Sequence, residues 1–212
     1  MGHTIKMFLK FGEERHINNL YNNGTIYMSP IQFFRKIEDG ELRGDKYEGI
    51  RSIRNLPPGE FKISDINFEG RYQALQLRQS YETVVGNIFS LYCVSTHGWT
   101  DPKDFKIDQK MERFGSHCLC VMNNREFLSR IEMALKLKGV KYSHNFVDYY
   151  DKDKVNRDIT LFEKPLEFEY QKEFRIYVER MSTEPFIFQI GSLKNITEIF
   201  PSKRVIDTME LR

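Results

Sequence analysis

The chain has 212 residues, 29% of them charged and 40% hydrophobic, with a formal net charge of +2. That length supports one good-sized core, and the composition is that of a soluble globular protein. The near-balanced charge excludes a global pull toward nucleic acid and leaves only local patches to provide one. No apolar run is long enough to span a membrane, the start MGHTIKMF lacks the apolar stretch of a secretory leader, and the three cysteines read as residues of a reducing compartment, from which a cytoplasmic protein is expected.

In chain order, residues 5–11 (IKMFLKF) read as an opening strand. Ile17, Leu20 and Tyr21 then fall at helical spacing before Gly24, a natural helix stop. A short strand TIYM leads into SPIQFFRKIEDG, where Ser29 caps a helix, Pro30 takes its first position and Gln32 completes a capping box. That helix buries Ile31, Phe34 and Ile37. From Gly40 to Gly59 the pattern dissolves into charges, glycines and Pro57-Pro58, the pattern of a long loop carrying Arg43, Lys46, Arg51 and Arg54. Strands are expected at FKISDINF and VVGNIFSLYCVS, a short helix after Asp101-Pro102, and a strand at SHCLCVM. NREFLSRIEMALKLKG is the clearest helix, with Phe127, Ile131, Ala134 and Leu135 as its stripe and Gly139 as its end. Strands follow at VKYSHNFVDYY, FEYQKEFRIYV, PFIFQI and RVIDTMEL. Helices early and strands late predict a single α+β domain over residues 1–212.

The three cysteines (93, 118 and 120) lack a second Cys/His pair at metal-ligand spacing and read as small buried residues in a reducing compartment. The five histidines form no ligand pair, so no metal is expected. Glycine-rich phosphate loops and nucleophile elbows are absent. Asp158, Glu169 and Lys172 are poorly spaced for a nuclease site. In FEYQKEFRIYV, Phe168, Tyr170, Phe174, Ile176 and Val178 alternate with Glu169, Gln171, Glu173, Arg175 and Tyr177. The polar face is either the wet side of a sheet or the wall of a site. In the second case Gln171 and Glu173 point the same way, and a carboxylate beside an amide suits substitution at the anomeric carbon of a ribose whose leaving group departs neutral, as nicotinamide leaves NAD.

Gln171-Lys172-Glu173 resembles the Glu/Gln-x-Glu element of mono-ADP-ribosyltransferases, in which the second acid is catalytic. KPLEFEYQKEFRIYV, LYNNGTIYMSPIQFF, RGDKYEG, IFSLYCVS and RFGSHCLCV are similar, in order, to successive motifs of a bacterial family of ADP-ribosyltransferase-like domains. The resemblance covers most of the chain, and phage-defence toxins that modify mRNA belong to the same broad group. It implies an α+β fold of two packed, mostly antiparallel sheets with flanking helices, NAD as co-substrate with no metal, and an RNA or protein acceptor. A toxin role with an antitoxin partner, and no membrane, follows from the same likeness. Glu173 then becomes the catalytic acid and Gln171 the residue that positions the acceptor. Lys10 stands where the family carries Arg or His against NAD, Ser95 is favoured over Tyr92 on the central strand, and Tyr27 lines the cleft. Arg43, Lys46, Arg51 and Arg54 would hold the acceptor. The alternative is a catalytically inactive copy of that fold acting as a nucleic-acid or protein-binding module.

Overall fold

The computed structural model describes residues 3–36, 45–80, 86–97 and 105–211. Strand β1 (Ile5–Gly12) is followed by helix α1 (Glu14–Asn23), which Gly24 ends in the left-handed region (φ 62°). Strand β2 (Thr25–Pro30) runs directly into α2 (Ile31–Lys36). Ser29 and Pro30 are therefore strand residues paired with Ile88 and Asn87, not a helix cap and first turn. Ile37 and Arg43 lie outside the described residues, as do positions 101 and 102, where a helix start was expected.

The expected loop before Gly59 is only partly a loop: residues 45–49 turn, and β3 (Ile50–Leu56) follows. Ile50 and Ile53 explain the strand, since both are buried in a small cluster with Tyr150 and Ile159. FKISDINF is likewise a hairpin and not a single strand. Strands β4 (Gly59–Ile63) and β5 (Phe68–Tyr72) flank a 3-10 turn at Ser64–Ile66, and Asn67 reverses the chain at φ 48°. Strand β6 (Leu75–Ser80) returns against β3.

Beyond it come β7 (Asn87–Ser95), a 3-10 helix at Gln109–Phe114, β8 (His117–Val121) and α3 (Asn124–Leu137). Asn123 caps α3 by accepting from the Glu126 amide, and the buried stripe of α3 is Phe127, Ile131 and Leu135. The expected strand 140–150 divides into β9 (Tyr142–Phe146) and β10 (Asp148–Tyr150), and β11 (Glu163–Pro165) pairs with β10 in parallel. The segment 168–178 is a strand only from Glu173, as β12 (Glu173–Val178). Residues Leu166–Gln171 form a 3-10 helix, and Lys172 takes the left-handed region (φ 38°, ψ 52°), which breaks the alternation that the sequence presents. Strands β13 (Phe186–Gln189) and β14 (Thr197–Pro201) close the set. The expected final strand is instead helix α4 (Ser202–Thr208), held at its start by Ser202 Oγ donating to the Gly115 carbonyl and packed inward through Val205 and Ile206.

The protein is α+β. Among the described residues, eight strands form one antiparallel sheet in the order β13-β2-β7-β1-β8-β14, with β12 on the other edge of β7 and β9 beyond it. Three two-stranded sheets accompany it. One face of the large sheet buries Phe8, Phe89, Leu91, Phe174 and Ile176 against α1 and α3. The other buries Leu9, Tyr92 and Val94 against Met111 and α4. Phe127 is fully buried at the centre of the first layer. Phe127→Ala is expected to cost roughly 3–5 kcal/mol of unfolding free energy, read as a lowered midpoint in a urea titration.

Candidate active site around Glu173

Strand register decides which side chains share a face. Leu9 pairs with Tyr92, and Tyr92 pairs with Glu173, so these three project to one side of the sheet. Ser90 and Arg175 are paired residues on that same side. Glu173 is 3% exposed, and each of its oxygens is engaged. Oε1 accepts from the Ser90 hydroxyl at 2.5 Å and from Arg175 Nε at 2.8 Å, while the Lys164 ammonium lies 2.6 Å from Oε2. Arg175 in turn grips Glu48 by its two terminal guanidinium nitrogens, at 2.7 and 3.0 Å, and donates to the Leu161 carbonyl. The Glu173 amide donates to Tyr149 Oη at 2.9 Å.

Burial alone would raise the Glu173 pKa, but the charges of Arg175 and Lys164 more than offset it and hold the carboxyl well below the ordinary range. Burial raises the Tyr149 phenol, and the Glu173 charge raises it further.

Gln171 joins the same group by a different route from that expected. It ends the 3-10 helix and does not lie two positions before Glu173 on one strand, yet its Oε1 accepts from Lys164 Nζ at 2.9 Å. Lys164 thus bridges the two residues that the Gln-x-Glu spacing singles out.

Other expected residues are placed differently. Lys10 follows Leu9 and so projects to the opposite, helix-covered face, where its ammonium donates to the Ser90 carbonyl at 2.7 Å and sits 4.5 Å from the centre of the Phe89 ring. Ser95 shares the face of Cys93, its hydrogen-bonding neighbour; the register brings Tyr92 to the Glu173 side instead. Tyr27 lies on the Glu173 face through Ser29 and Ile88 and is 52% exposed. Lys46 and Arg51 are exposed near the 45–49 turn, and Arg54 reaches Asp158 at 3.3 Å. Asp45 and Glu48, the acids of the same segment, are buried, with Glu48 committed to Arg175.

A shallow cavity of ≈ 450 Å³ is lined by Tyr92, Tyr170 and Leu166 and by both signs of charge, Lys106, Lys110 and Lys172 with Asp108, Glu167 and Glu169; Gln171 lies in the chain between two lining residues, and neither it nor Glu173 or Lys164 is part of the wall. Sequence reasoning missed Lys164, Ser90 and Glu48. Arg175 carried a signal, since it alternates with Glu173, whereas Lys164 and Glu48 reach the site from distant segments. No metal-holding group of His, Cys, Asp or Glu occurs among the described residues. No family model, curated protein or solved structure matches this chain.

Asp45 carries a separate titration. Burial and the neighbouring Glu48 charge raise its pKa to about 7. An acid raised in the folded state contributes stability that is complete below its unfolded value and is lost as pH rises through the folded one. Wild-type stability is therefore expected to fall between about pH 4 and about pH 7 relative to Asp45→Asn, read as diverging melting temperatures. Parallel pH curves for the two proteins would contradict this.

Proposed function

We propose that the chain is an NAD-dependent mono-ADP-ribosyltransferase of the ADP-ribosyltransferase-like fold, modifying a macromolecular acceptor, RNA or protein, as a toxin in phage defence or a toxin–antitoxin pair. The observation that carries the reading is the joining of Gln171 and Glu173 at one ammonium, that of Lys164, beside an open cavity. Glu173 is held ionised, as stabilisation of a developing sugar cation requires. In the reaction the C1′–N bond breaks with its electron pair going to nicotinamide, and an acceptor lone pair forms the new bond to C1′ as the acceptor proton passes to solvent. The Lys164 ammonium occupies the position beside Glu173 that a sugar cation would take, so productive binding displaces it. Lys106 and Lys110 at the cavity would supply point charges for phosphate oxygens, next to Asp108 in the same wall. Gln171, released from Lys164, orients the acceptor.

A second reading, a catalytically inactive relative that binds nucleic acid or protein, is favoured by the burial of Glu173 in a complete ion network and by the turning of Lys10 and Ser95 to the opposite face. Labelled NAD separates the two. Glu173→Gln, with its folding checked by circular dichroism, is expected to lower transfer roughly hundred- to thousandfold. Transfer at the wild-type rate would remove the carboxylate from the chemistry, and no transfer or NAD hydrolysis by the wild-type protein would favour the binding module.

Acceptor binding is proposed for Arg43, Lys46, Arg51 and Arg54. Changing all four to Ala is expected to reduce transfer and flatten its salt dependence while NAD hydrolysis persists. Unchanged transfer across the salt series would exclude them.

A further inference from the structure

Among the described residues, five charged side chains are buried: Asp45, Glu48 and Glu173 against Lys164 and Arg175. Arg175 spans Glu48 and Glu173, and Lys164 meets Glu173, which accounts for four of them. Asp45 is the fifth, and three acids against two bases leave one negative charge over. Its Oδ1 accepts from the Tyr47 amide, while its Oδ2 is buried without a hydrogen-bond partner.

Several elements face Asp45. The 45–49 turn itself contributes Tyr47 and Glu48, with Lys46 exposed. Strand β10 adds Tyr150, whose hydroxyl is also buried without a partner and feels the charge of Glu163 on β11. Lys164 of β11 and Arg175 of β12 are the cations that act on Asp45, Lys164 the more strongly. Helix α2 contributes its Phe34 carbonyl, which accepts from the Asp45 amide, and its Arg35 is turned to Ser80. A proton on Asp45 removes the surplus charge, and burial and Glu48 raise its pKa to about 7 accordingly.

We propose that Asp45 and Glu173 compete for the Lys164 ammonium, which a neutral Asp45 leaves on Glu173 and an ionised Asp45 draws to itself. What each carboxylate would keep decides the direction. Without Lys164, Glu173 retains Arg175 Nε and the Ser90 hydroxyl. An ionised Asp45 without Lys164 has one backbone amide. A buried charge with no counter-ion is costly, so the ammonium moves to the carboxylate that has none, and the Asp45 proton passes to solvent. The move clears Glu173 Oε2 and frees Gln171 Oε1. Its consequence for transfer rests on the transferase reading; the exchange of partners does not.

NMR of the full chain labelled with nitrogen-15 and carbon-13 tests the exchange without reference to activity. The readout is the coupling across the hydrogen bond between the Lys164 ammonium and its carboxylate, assigned by its loss in Lys164→Arg. At about pH 6 the coupling is expected to reach the Glu173 carboxyl carbon, and at about pH 8 that of Asp45. In Asp45→Asn it is expected to stay with Glu173 at both. A wild-type ammonium still on Glu173 at about pH 8 overturns the proposal, whether or not the variant folds. So does an ammonium that leaves Glu173 equally in Asp45→Asn. On the transferase reading, wild-type transfer rises roughly tenfold from about pH 6 to about pH 8, and Asp45→Asn stays at the lower value. Flat wild-type transfer despite the exchange would overturn its link to transfer. Exchange with no transfer at either pH would refute the transferase reading and leave the competition standing.

Discussion

A carboxylate removed from water must be matched by charge and hydrogen bonds: Glu173 Oε1 accepts from Ser90 and Arg175, and Oε2 is met by the Lys164 charge. The ions that do so come from separate parts of the chain: Arg175 from its own strand, Lys164 from β11, and Glu48 one step further out from the 45–49 turn. Ser90 adds a hydroxyl from the central strand. Removing one member would leave another charge buried and uncompensated, a far larger cost than losing a surface pair. The network therefore ties the 45–49 turn, which leads into β3, and the β10–β11 sheet to the face of the large sheet, with Tyr149 and Lys164 against Glu173.

The same network bears on catalysis. A carboxylate that meets a sugar cation has to be ionised and dry, and this one is both. It also has to be reachable, and Glu173 is buried with the Lys164 ammonium against its Oε2. Under the transferase reading, the cation that stabilises the resting fold is the one the substrate replaces. Under the binding-module reading, the cation is permanent and Glu173 is a structural residue. The geometry is common to both, and they differ only in whether Lys164 yields.

Much of the scaffold was legible in the sequence because its signals are local. The α3 stripe, the Gly24 stop and the apolar runs of β1 and β7 each depend on a few neighbouring residues. The failures have physical causes of their own. FEYQKEFRIYV alternates as a strand except at Lys172, and Lys172 in the left-handed region divides it into a 3-10 turn and β12. RVIDTMEL has strand-like residues, but burial of Val205 and Ile206 against the sheet is achieved by a helix. At the site, Gln171 and Glu173 were visible as a pair, whereas Lys164, Ser90 and Glu48 were not. Their roles come from register and long-range closure, which a single sequence does not display. Register also explains Lys10 and Ser95: neighbours of face-sharing residues point away from them.

The claim on which the rest stands is that Glu173 is a buried, ionised carboxylate held by Arg175 and Lys164 and open to exchange with a cationic sugar. Carbon-13 NMR of its side-chain carboxyl, assigned by its loss in Glu173→Gln, tests this directly. The account predicts a resonance that stays at the ionised position while ordinary glutamates titrate, and that shifts when NAD is added at neutral pH. A resonance that titrates with the other glutamates, or one that NAD leaves unmoved, would contradict it.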